Sequence, residues 1–225
     1  MEYTETVGTK FDEKGNPLKY LGTTLICFAN DENSDLYKEL VWAQTELKKA
    51  SFAHKYAALP PSSFHMTVMG LSRDIDRDTK FWPEMFKPDT AWKDIDPIQK
   101  RIVDSIKKPR GFKMKIMECM DQRFRLAPYD QETEWLLTDY RAALSEKTGV
   151  RLDDHDRYVF HISLFYKLQK LNRDEEQELM EILNRINCRV HDKIESFSTG
   201  EPKFTIFENM YAFYEDISRR KDMTD

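Results

Sequence analysis

The chain has 225 residues, of which 40% are hydrophobic and 12% aromatic, enough for the core of one sizeable domain or two small packed lobes. Its formal net charge of −5 argues against a broad basic surface for duplex DNA and favours a small phosphoester partner. No stretch approaches the roughly 18 consecutive apolar residues of a membrane span. We therefore expect no membrane and no duplex DNA among its partners.

The cysteines indicate a reducing compartment. Cys27, Cys119 and Cys188 are widely spaced, odd in number and without a CxxC pair, which favours free thiols and disfavours a zinc cluster. The opening residues 1–5 lack a basic segment followed by an apolar one, so we expect no signal peptide. The expectation is a cytoplasmic protein acting as a monomer.

The first part of the chain predicts a strand, a helix and a second strand. After a turn at 10–17, the β-rich run Tyr20–Phe28 predicts the first strand. Ser34–Ala50 has the apolar spacing of an amphipathic helix. Two prolines then interrupt the chain just before a strand that begins at Phe64.

The later part of the chain repeats this order. Strands are predicted at 112–118 and 122–126, followed by a helix over Gln131–Lys147 with Asp130 as its N-cap. A polar turn leads into the last strand of this half, Tyr158–Tyr166. The expected buried stripe of the helix consists of Leu136, Tyr140, Ala143 and Leu144.

The end of the chain predicts one helix and two strands. Asn172 and Glu175 have the spacing of a capping box, which predicts a helix to about Arg189. Residues 204–207 and 209–214 are expected to close the chain as strands.

The repeated order of strand, helix and strand favours an internal duplication, although two independent units would look alike. We predict one bilobal α+β domain over residues 1–225, with lobe halves at 10–70 and 111–215 and an insertion at 71–110. Each lobe is an antiparallel sheet with outer helices, and a cleft lies between the lobes. In the insertion, a helix is predicted from Pro97 to Lys108 with Asp96 as N-cap.

The most informative feature is one pattern that occurs in both halves, at Phe64–Val68 (FHMTV) and Phe160–Leu164 (FHISL). Each reads apolar, histidine, apolar, hydroxyl, apolar. In a strand, alternation puts each histidine and its hydroxyl on one face and the apolar residues in a core. The pattern thus predicts a site formed by His65, Thr67, His161 and Ser163.

These residue types suit phosphodiester chemistry. In-line attack at phosphorus needs a base on the attacking oxygen and an acid on the leaving oxygen, and histidine serves in either protonation state near neutral pH. Hydroxyl groups donate to the non-bridging oxygens and hold the phosphate in line. The spacing requires no metal and no cofactor. It does not decide which histidine is the base.

The four residues resemble the signature of the two-histidine (2H) phosphoesterase superfamily, two copies of His-x-Thr/Ser on strands, with serine in place of the commoner threonine in the second copy. The resemblance extends to a poorly characterised bacterial and fungal branch. It rests there on Lys10–Asp12 with Gly15, Gly22–Cys27, Leu59–Thr67 and Phe207–Met210. It implies two lobes around a cleft and a metal-independent phosphodiesterase acting on a 2′,3′-cyclic phosphate or a related nucleotide or RNA-end ester.

Several alternatives use the same residues. The pattern is also compatible with an RNA 3′-end exonuclease, with a 2′–5′ RNA ligase, or with a non-catalytic nucleotide- or RNA-binding module. Two histidines packed in a core are disfavoured, because a buried imidazole without partners is costly. Intact histidine and hydroxyl pairs favour an enzyme, since binding alone would tolerate lysine or arginine there.

Further residues are weaker candidates for binding substrate. Arg123 and Arg125 share one face of a strand and suit phosphate, with a solvated sheet face as the alternative. Trp82 and Trp92 are candidates for stacking on a base, with a satellite core as the alternative. Tyr166 is a candidate ligand contact, although regular alternation from His161 would turn it to the other face.

Two more residues stand near the second motif. Tyr158, three residues before His161, has the same alternation problem as Tyr166. His155 stands among three aspartates, but no second histidine has ligand spacing nearby, so a solvated turn is favoured over a metal site.

Overall fold

The computed structural model describes residues 2–224, so the first and last residues of the predicted domain lie outside it. The strands are β1 (Gly22–Phe28), β2 (Tyr56–Ala58), β3 (His65–Arg73), β4 (Lys113–Cys119), β5 (Arg123–Pro128), β6 (His161–Ser163), β7 (Phe165–Lys167), β8 (Phe197–Ser198), β9 (Lys203–Phe207) and β10 (Phe213–Tyr214). The helices are α1 (Asp35–Lys48), α2 (Trp92–Asp104), α3 (Gln131–Thr148), α4 (Arg173–Lys193) and α5 (Lys221–Thr224).

Eight strands form one antiparallel sheet in the order β10-β9-β1-β3-β6-β5-β4-β8, and β2 pairs with β7 in a separate ribbon. This confirms the predicted α+β class with antiparallel pairing. The group β10-β9-β1-β3 joins the group β6-β5-β4-β8 edge to edge, where Met66 of β3 pairs with Ile162 of β6. The two strands that carry the histidines are therefore neighbours at the centre of the sheet. Strands β9 and β10 come from the end of the chain but lie beside β1, so each side of the sheet is not one continuous part of the sequence.

The apolar residues of both motifs are buried, as alternation predicts. Each motif places three side chains in the core, which are Phe64, Met66 and Val68 in the first copy and Phe160, Ile162 and Leu164 in the second. Their burial fixes the register, because a one-residue slip would turn all of them out of the core. The opposite face of β3 and β6 is left for the polar residues.

The predicted starts of α1, α3 and α4 agree with the structure, although α4 runs to Lys193 and not to about Arg189. The side chain of Ser34 caps α1, and that of Asp130 caps α3, which ends at Gly149 with a φ of 71°. Asn172 and Glu175 form the predicted capping box of α4. Each cap supplies a partner to backbone groups that the first or last helical turn leaves unpaired.

The prediction for the insertion helix is wrong at both ends, since α2 also ends at Asp104 and not at Lys108. Helix α2 begins at Trp92 with Ala91 as N-cap, and Pro97 lies inside it. The carboxylate of Asp96 does not cap the helix, because it is buried and forms an ion pair with Arg220 at 2.7 Å. Burial of Trp92 at the first turn extends the helix towards the N-terminus despite the proline.

Two further expectations differ in detail. On α3, Leu136 is 42% exposed and its neighbour Leu137 is 2% exposed, so the buried stripe is displaced by one residue at that turn. The second closing strand covers only Phe213–Tyr214, because the Asn209 side chain accepts a hydrogen bond from the Tyr211 backbone and forms a turn there.

The three cysteines are free thiols, with Cys27 and Cys119 buried and Cys188 exposed. Within residues 2–224, no helix is long and apolar enough to cross a membrane.

Candidate active site

A cleft of about 410 Å³ lies over the central strands of the sheet, where the two halves meet. The four predicted residues all line it, together with polar residues from the N-terminal turn, from the end of β3 and from β5. The polar and charged residues on its wall are Lys10, Tyr20, Thr23, Thr24, His65, Thr67, Arg73, Gln122, Arg123, Asp154, Tyr158, His161, Ser163 and Tyr166.

The strand register sets each histidine against the hydroxyl of the other motif. Met66 pairs with Ile162 in an antiparallel ladder, so one step along it His65 lies opposite Ser163 and Thr67 lies opposite His161. The two histidines are then diagonal neighbours, a relation that separates side chains by about 7–8 Å. A separation of this size is compatible with contact of both imidazoles with one small group placed between them.

Both imidazoles are held by the same hydrogen bond. Nδ1 of His65 lies 2.6 Å from the Ser63 carbonyl oxygen, and Nδ1 of His161 lies 2.8 Å from the Val159 carbonyl oxygen. A carbonyl only accepts, so Nδ1 carries the hydrogen in both rings. This leaves Nε2 of each histidine to accept or donate a proton on the cleft side.

Burial favours the neutral form of both histidines. It is the main cause that lowers the pKa of His65 to about 4; the hydrogen bond to Ser63 opposes this shift, and the nearby His161 adds to it. Burial is also the main cause that lowers the pKa of His161, and the positive charges of Arg123 and Lys10 add to it. A bound anion between the rings would favour their protonated forms and raise both pKa values.

Tyr158, which alternation disfavours, lies in the site. The strand begins only at His161, so alternation does not extend back to residue 158, and Tyr158 lines the same cleft as Thr67. Its ring lies 4.7 Å from the guanidinium of Arg141, which donates to the backbone carbonyls of Val68 and His155. Arg141 therefore fixes Tyr158 against the first motif.

Tyr166 also lines the cleft, and a break in the strand explains why. Strand β6 ends at Ser163 and β7 begins at Phe165, because the backbone amides of Leu164 and Phe165 both donate to the Gln122 carbonyl. The break resets the alternation between His161 and Tyr166. No feature of the motif itself predicts this break.

Of the two candidate arginines, one lines the cleft and the other does not. Arg123 lies opposite Ser163 on the adjacent strand and lines the cleft. Arg125 lies opposite His161, but its side chain forms an exposed ion pair with Glu118 at 3.1 Å and faces a neighbouring depression. The structure thus brings Arg123 to the site and leaves Arg125 outside.

The structure does not bring Trp82 to the cleft. Trp82 is 7% exposed and packs edge-to-face on Trp92 with ring centroids 6.0 Å apart, while the Arg77 guanidinium lies 4.7 Å from its ring. The indole nitrogen donates to the Phe86 carbonyl. Both tryptophans belong to a satellite core, so the sequence-based assignment of Trp82 to substrate binding is wrong.

His155 lies in a short 3₁₀ turn before β6, but it is buried, not solvated as predicted. In the part of the chain that the structure describes, no group of three or more His, Cys, Asp or Glu side chains gathers in a metal-binding arrangement.

Two basic residues of the site, Lys10 and Arg73, and the acidic Asp154 were not predicted as site residues from the sequence. Lys10 follows the start of the N-terminal turn and Arg73 ends β3, and only the tertiary fold brings them to the histidines. Their signal in the sequence is slight, because isolated basic residues are common on ordinary surfaces.

A family model named 2H-phosphodiest and described as a domain of unknown function (DUF1868) matches residues 10–125, slightly more than half of the chain. The matched part contains His65 and Thr67 but ends before His161. No curated protein matches the chain.

Two solved structures are similar. A conserved protein of unknown function, ATU0111 from Agrobacterium tumefaciens str. C58, has a TM-score of 0.89 at 21% identity, with 95% of this chain and 91% of that chain covered. TT0787 of Thermus thermophilus has a TM-score of 0.41 at 15% identity, with 82% and 86% covered. The first of these likenesses shows the fold, over both halves of the sheet.

Proposed function

Because the chain belongs to the 2H-phosphodiest family, a domain of unknown function (DUF1868), we propose that it is a phosphodiesterase acting on a 2′,3′-cyclic phosphate or a related nucleotide or RNA-end phosphodiester. His65 and His161 serve as its acid and base. The main support for this proposal is that the Nδ1 atom of each histidine forms a hydrogen bond with the backbone carbonyl two residues earlier. This leaves each Nε2 available for proton transfer, which supports the proposal.

The reaction needs only water and the four residues of the two motifs. One neutral histidine accepts a proton from water through Nε2 as the water oxygen bonds to phosphorus. The other, protonated, donates its Nε2 proton to the ribose oxygen as the bond from phosphorus to that oxygen breaks. The products are a phosphomonoester and a free hydroxyl, and the two histidines have exchanged protonation states. The low pKa of His65 suits it to begin as the base.

The hydroxyl groups hold the phosphate during this exchange. Thr67 lies across from His161 and Ser163 across from His65, so the two hydroxyls flank the position between the rings. Donation from both to the non-bridging oxygens would stabilise the charge that grows on them in the transition state.

The proposal is tested by a turnover screen of cyclic and linear nucleotide phosphodiesters in EDTA. We expect cyclic phosphate hydrolysis in EDTA and its loss by roughly 100-fold or more in His65→Ala and in His161→Ala, the scale of a lost general acid or base. His54→Ala, at an exposed position, is the matched control and should keep full activity.

Three outcomes would contradict the proposal. These are turnover that requires an added metal, turnover that survives both substitutions, and nucleotide binding by the wild-type protein without turnover of any diester. The last result would support the non-catalytic binding module.

A further inference from the structure

The cleft contains more positive charge than a single phosphodiester needs. Three cationic side chains line it, Lys10, Arg73 and Arg123. Arg73 is neutralised by Asp76, which accepts two hydrogen bonds from its guanidinium at 2.6 and 3.0 Å. Within residues 2–224, the other two form no ion pair and no side-chain hydrogen bond, and Asp154 is the carboxylate on the cleft wall.

The packing and hydrogen bonds of the neighbouring residues hold the Lys10 backbone beside the cleft. The side chain of the next residue, Phe11, is fully buried and packs 5.2 Å from the Tyr166 ring. The backbone carbonyl of Lys10 accepts from the Leu18 amide, which closes the turn. The ammonium group then lies 4.8 Å from the Tyr166 ring and 5.5 Å from the Tyr20 ring.

An ammonium held between two aromatic rings and without a carboxylate partner is incompletely compensated for its lost hydration. Burial accordingly lowers the pKa of Lys10. Tyr20 and Glu5 oppose this shift, and the positive charges of Arg73 and Arg123 add to it. Contact with the rings offsets part of this cost. A bound anion would supply the missing negative charge.

The two cations without an ion-pair partner, Lys10 and Arg123, lie on the His161 side of the site. Arg123 lies opposite Ser163. Both Arg123 and Lys10 lower the pKa of His161, and the Asp154 carboxylate opposes them with a smaller effect. The surroundings of His65 are apolar by comparison, with the Phe213 ring centroid 4.2 Å from its own. The cleft therefore has a cationic end beside the second motif and an aromatic end beside the first.

We propose that Lys10 and Arg123 form a second anion subsite, which takes a phosphomonoester group carried by the same substrate as the scissile diester. A phosphodiester carries one negative charge, and the two motifs already supply hydrogen-bond donors for it. A phosphomonoester carries nearly two charges at pH 7, which matches two unpaired cations. The cleft volume of about 410 Å³ falls in the range of sites that hold a whole small ligand.

This inference rests on the proposed function and names its substrate class, a nucleotide with a cyclic or linear phosphodiester and a separate terminal phosphate. The first experiment compares adenosine 2′,3′-cyclic phosphate with its 5′-phosphorylated counterpart. We expect the extra phosphate to raise kcat/KM by at least about tenfold, the effect of one or more charge-assisted hydrogen bonds. The gain should lie mainly in KM.

Substitutions test whether Lys10 and Arg123 bind the second phosphate. Lys10→Met and Arg123→Gln should each reduce the ratio of the two kcat/KM values towards one, whereas Lys10→Arg and Arg123→Lys should retain most of it. Two matched controls should keep the ratio of the two kcat/KM values. Lys14→Met changes an exposed lysine on the same turn as Lys10. Arg125→Gln changes an arginine on the same strand as Arg123, whose ion-pair partner is Glu118 of β4. Thermal unfolding of each variant checks that it is folded.

A binding experiment separates this inference from the catalytic proposal. Calorimetry should show that the wild-type protein binds adenosine 3′,5′-bisphosphate at least about tenfold more tightly than adenosine 3′-monophosphate. That preference should fall in Lys10→Met and Arg123→Gln, whether or not any diester is hydrolysed. Equal affinities for the two nucleotides, or an unchanged preference in both variants, would overturn the subsite. Absent turnover with the preference intact would overturn only the catalytic proposal.

Discussion

Each histidine of the site is constrained by its backbone and tuned by its surroundings. The hydrogen bonds to Ser63 and Val159 give both rings the same tautomer. Their neighbours differ, since His65 contacts Phe213 while His161 is near the charged groups of Lys10 and Arg123. Both environments lower the pKa of the ring that they surround. In the proposed reaction, the bound phosphate anion is therefore what favours a protonated imidazole.

The low pKa of His65 predicts a specific loss of stability in acid. In the unfolded chain its imidazole has a pKa near 6.5, whereas burial lowers the folded value to about 4. Unfolding therefore takes up a proton between these values, and the stability contributed by the neutral ring is lost as pH falls from about 6.5 through 4. In His65→Gln, we expect the free energy of unfolding to decrease by about 2–3 kcal/mol less than in wild type between pH 7.5 and 4.5.

The measurement is urea unfolding of both proteins at the two pH values. His54→Gln, at an exposed position, is the control and should follow the wild-type pH dependence. Parallel decreases in wild type and His65→Gln would show that His65 does not titrate abnormally in the folded protein.

At the scale of whole elements, a feature could be predicted from the sequence when its cause was local. Strand alternation predicted the burial of Met66 and Ile162 and the shared face of the four site residues, because it needs only neighbouring side chains. It failed for Tyr166, because the strand is interrupted by hydrogen bonds to the Gln122 carbonyl, which comes from a different part of the chain. No local pattern encodes that contact.

The same distinction explains the errors in the insertion. An aspartate before a proline is a common start for a helix, yet Asp96 is held by Arg220 from the far end of the chain. Trp82 looked available for a ligand because an aromatic residue in a loop has no evident partner. Its partners Trp92 and Arg77 lie on either side of it in sequence, but only the folded loop stacks them together.

The displaced stripe of α3 gives a test at this scale. Leu137 is 2% exposed and Leu136 is 42% exposed, so the two adjacent leucines should respond differently to truncation. We expect Leu137→Ala to lower the free energy of unfolding by about 2–4 kcal/mol, because it leaves a cavity in the core. Leu136→Ala should change it by less than about 1 kcal/mol. Urea unfolding measures both, and equal effects would contradict the observed face of α3.

At the scale of the molecule, the site exists only because two halves of the chain share one sheet. His65 and Thr67 come from β3, His161 and Ser163 from β6, and the join between these strands is the Met66–Ile162 pair. Either half alone supplies one imidazole and one hydroxyl, which is insufficient for an acid and a base on opposite sides of phosphorus. Joining the two halves of the sheet therefore creates the site.

The end of the chain is tied to the start of this sheet by one buried ion pair. Arg220 is 2% exposed, donates to both carboxylate oxygens of Asp96, and also donates to the carbonyls of Gly22 and Phe207. It thereby connects α2, the first residue of β1 and the last residue of β9. Phe213, which contacts His65, lies in the segment between Phe207 and this anchor.

Arg220→Met should therefore weaken both the fold and the site. Removing the guanidinium leaves the buried carboxylate of Asp96 without its counter-charge, which we expect to lower the free energy of unfolding by about 3–5 kcal/mol. The double variant Asp96→Asn with Arg220→Met should recover part of that loss, because a neutral amide is cheaper to bury than an unpaired carboxylate. Urea unfolding of the wild type, both single variants and the double variant gives the coupling between the two residues. If the losses in free energy of unfolding are additive, Asp96 and Arg220 act as two independent contacts and not as one coupled ion pair that holds the C-terminal segment beside His65.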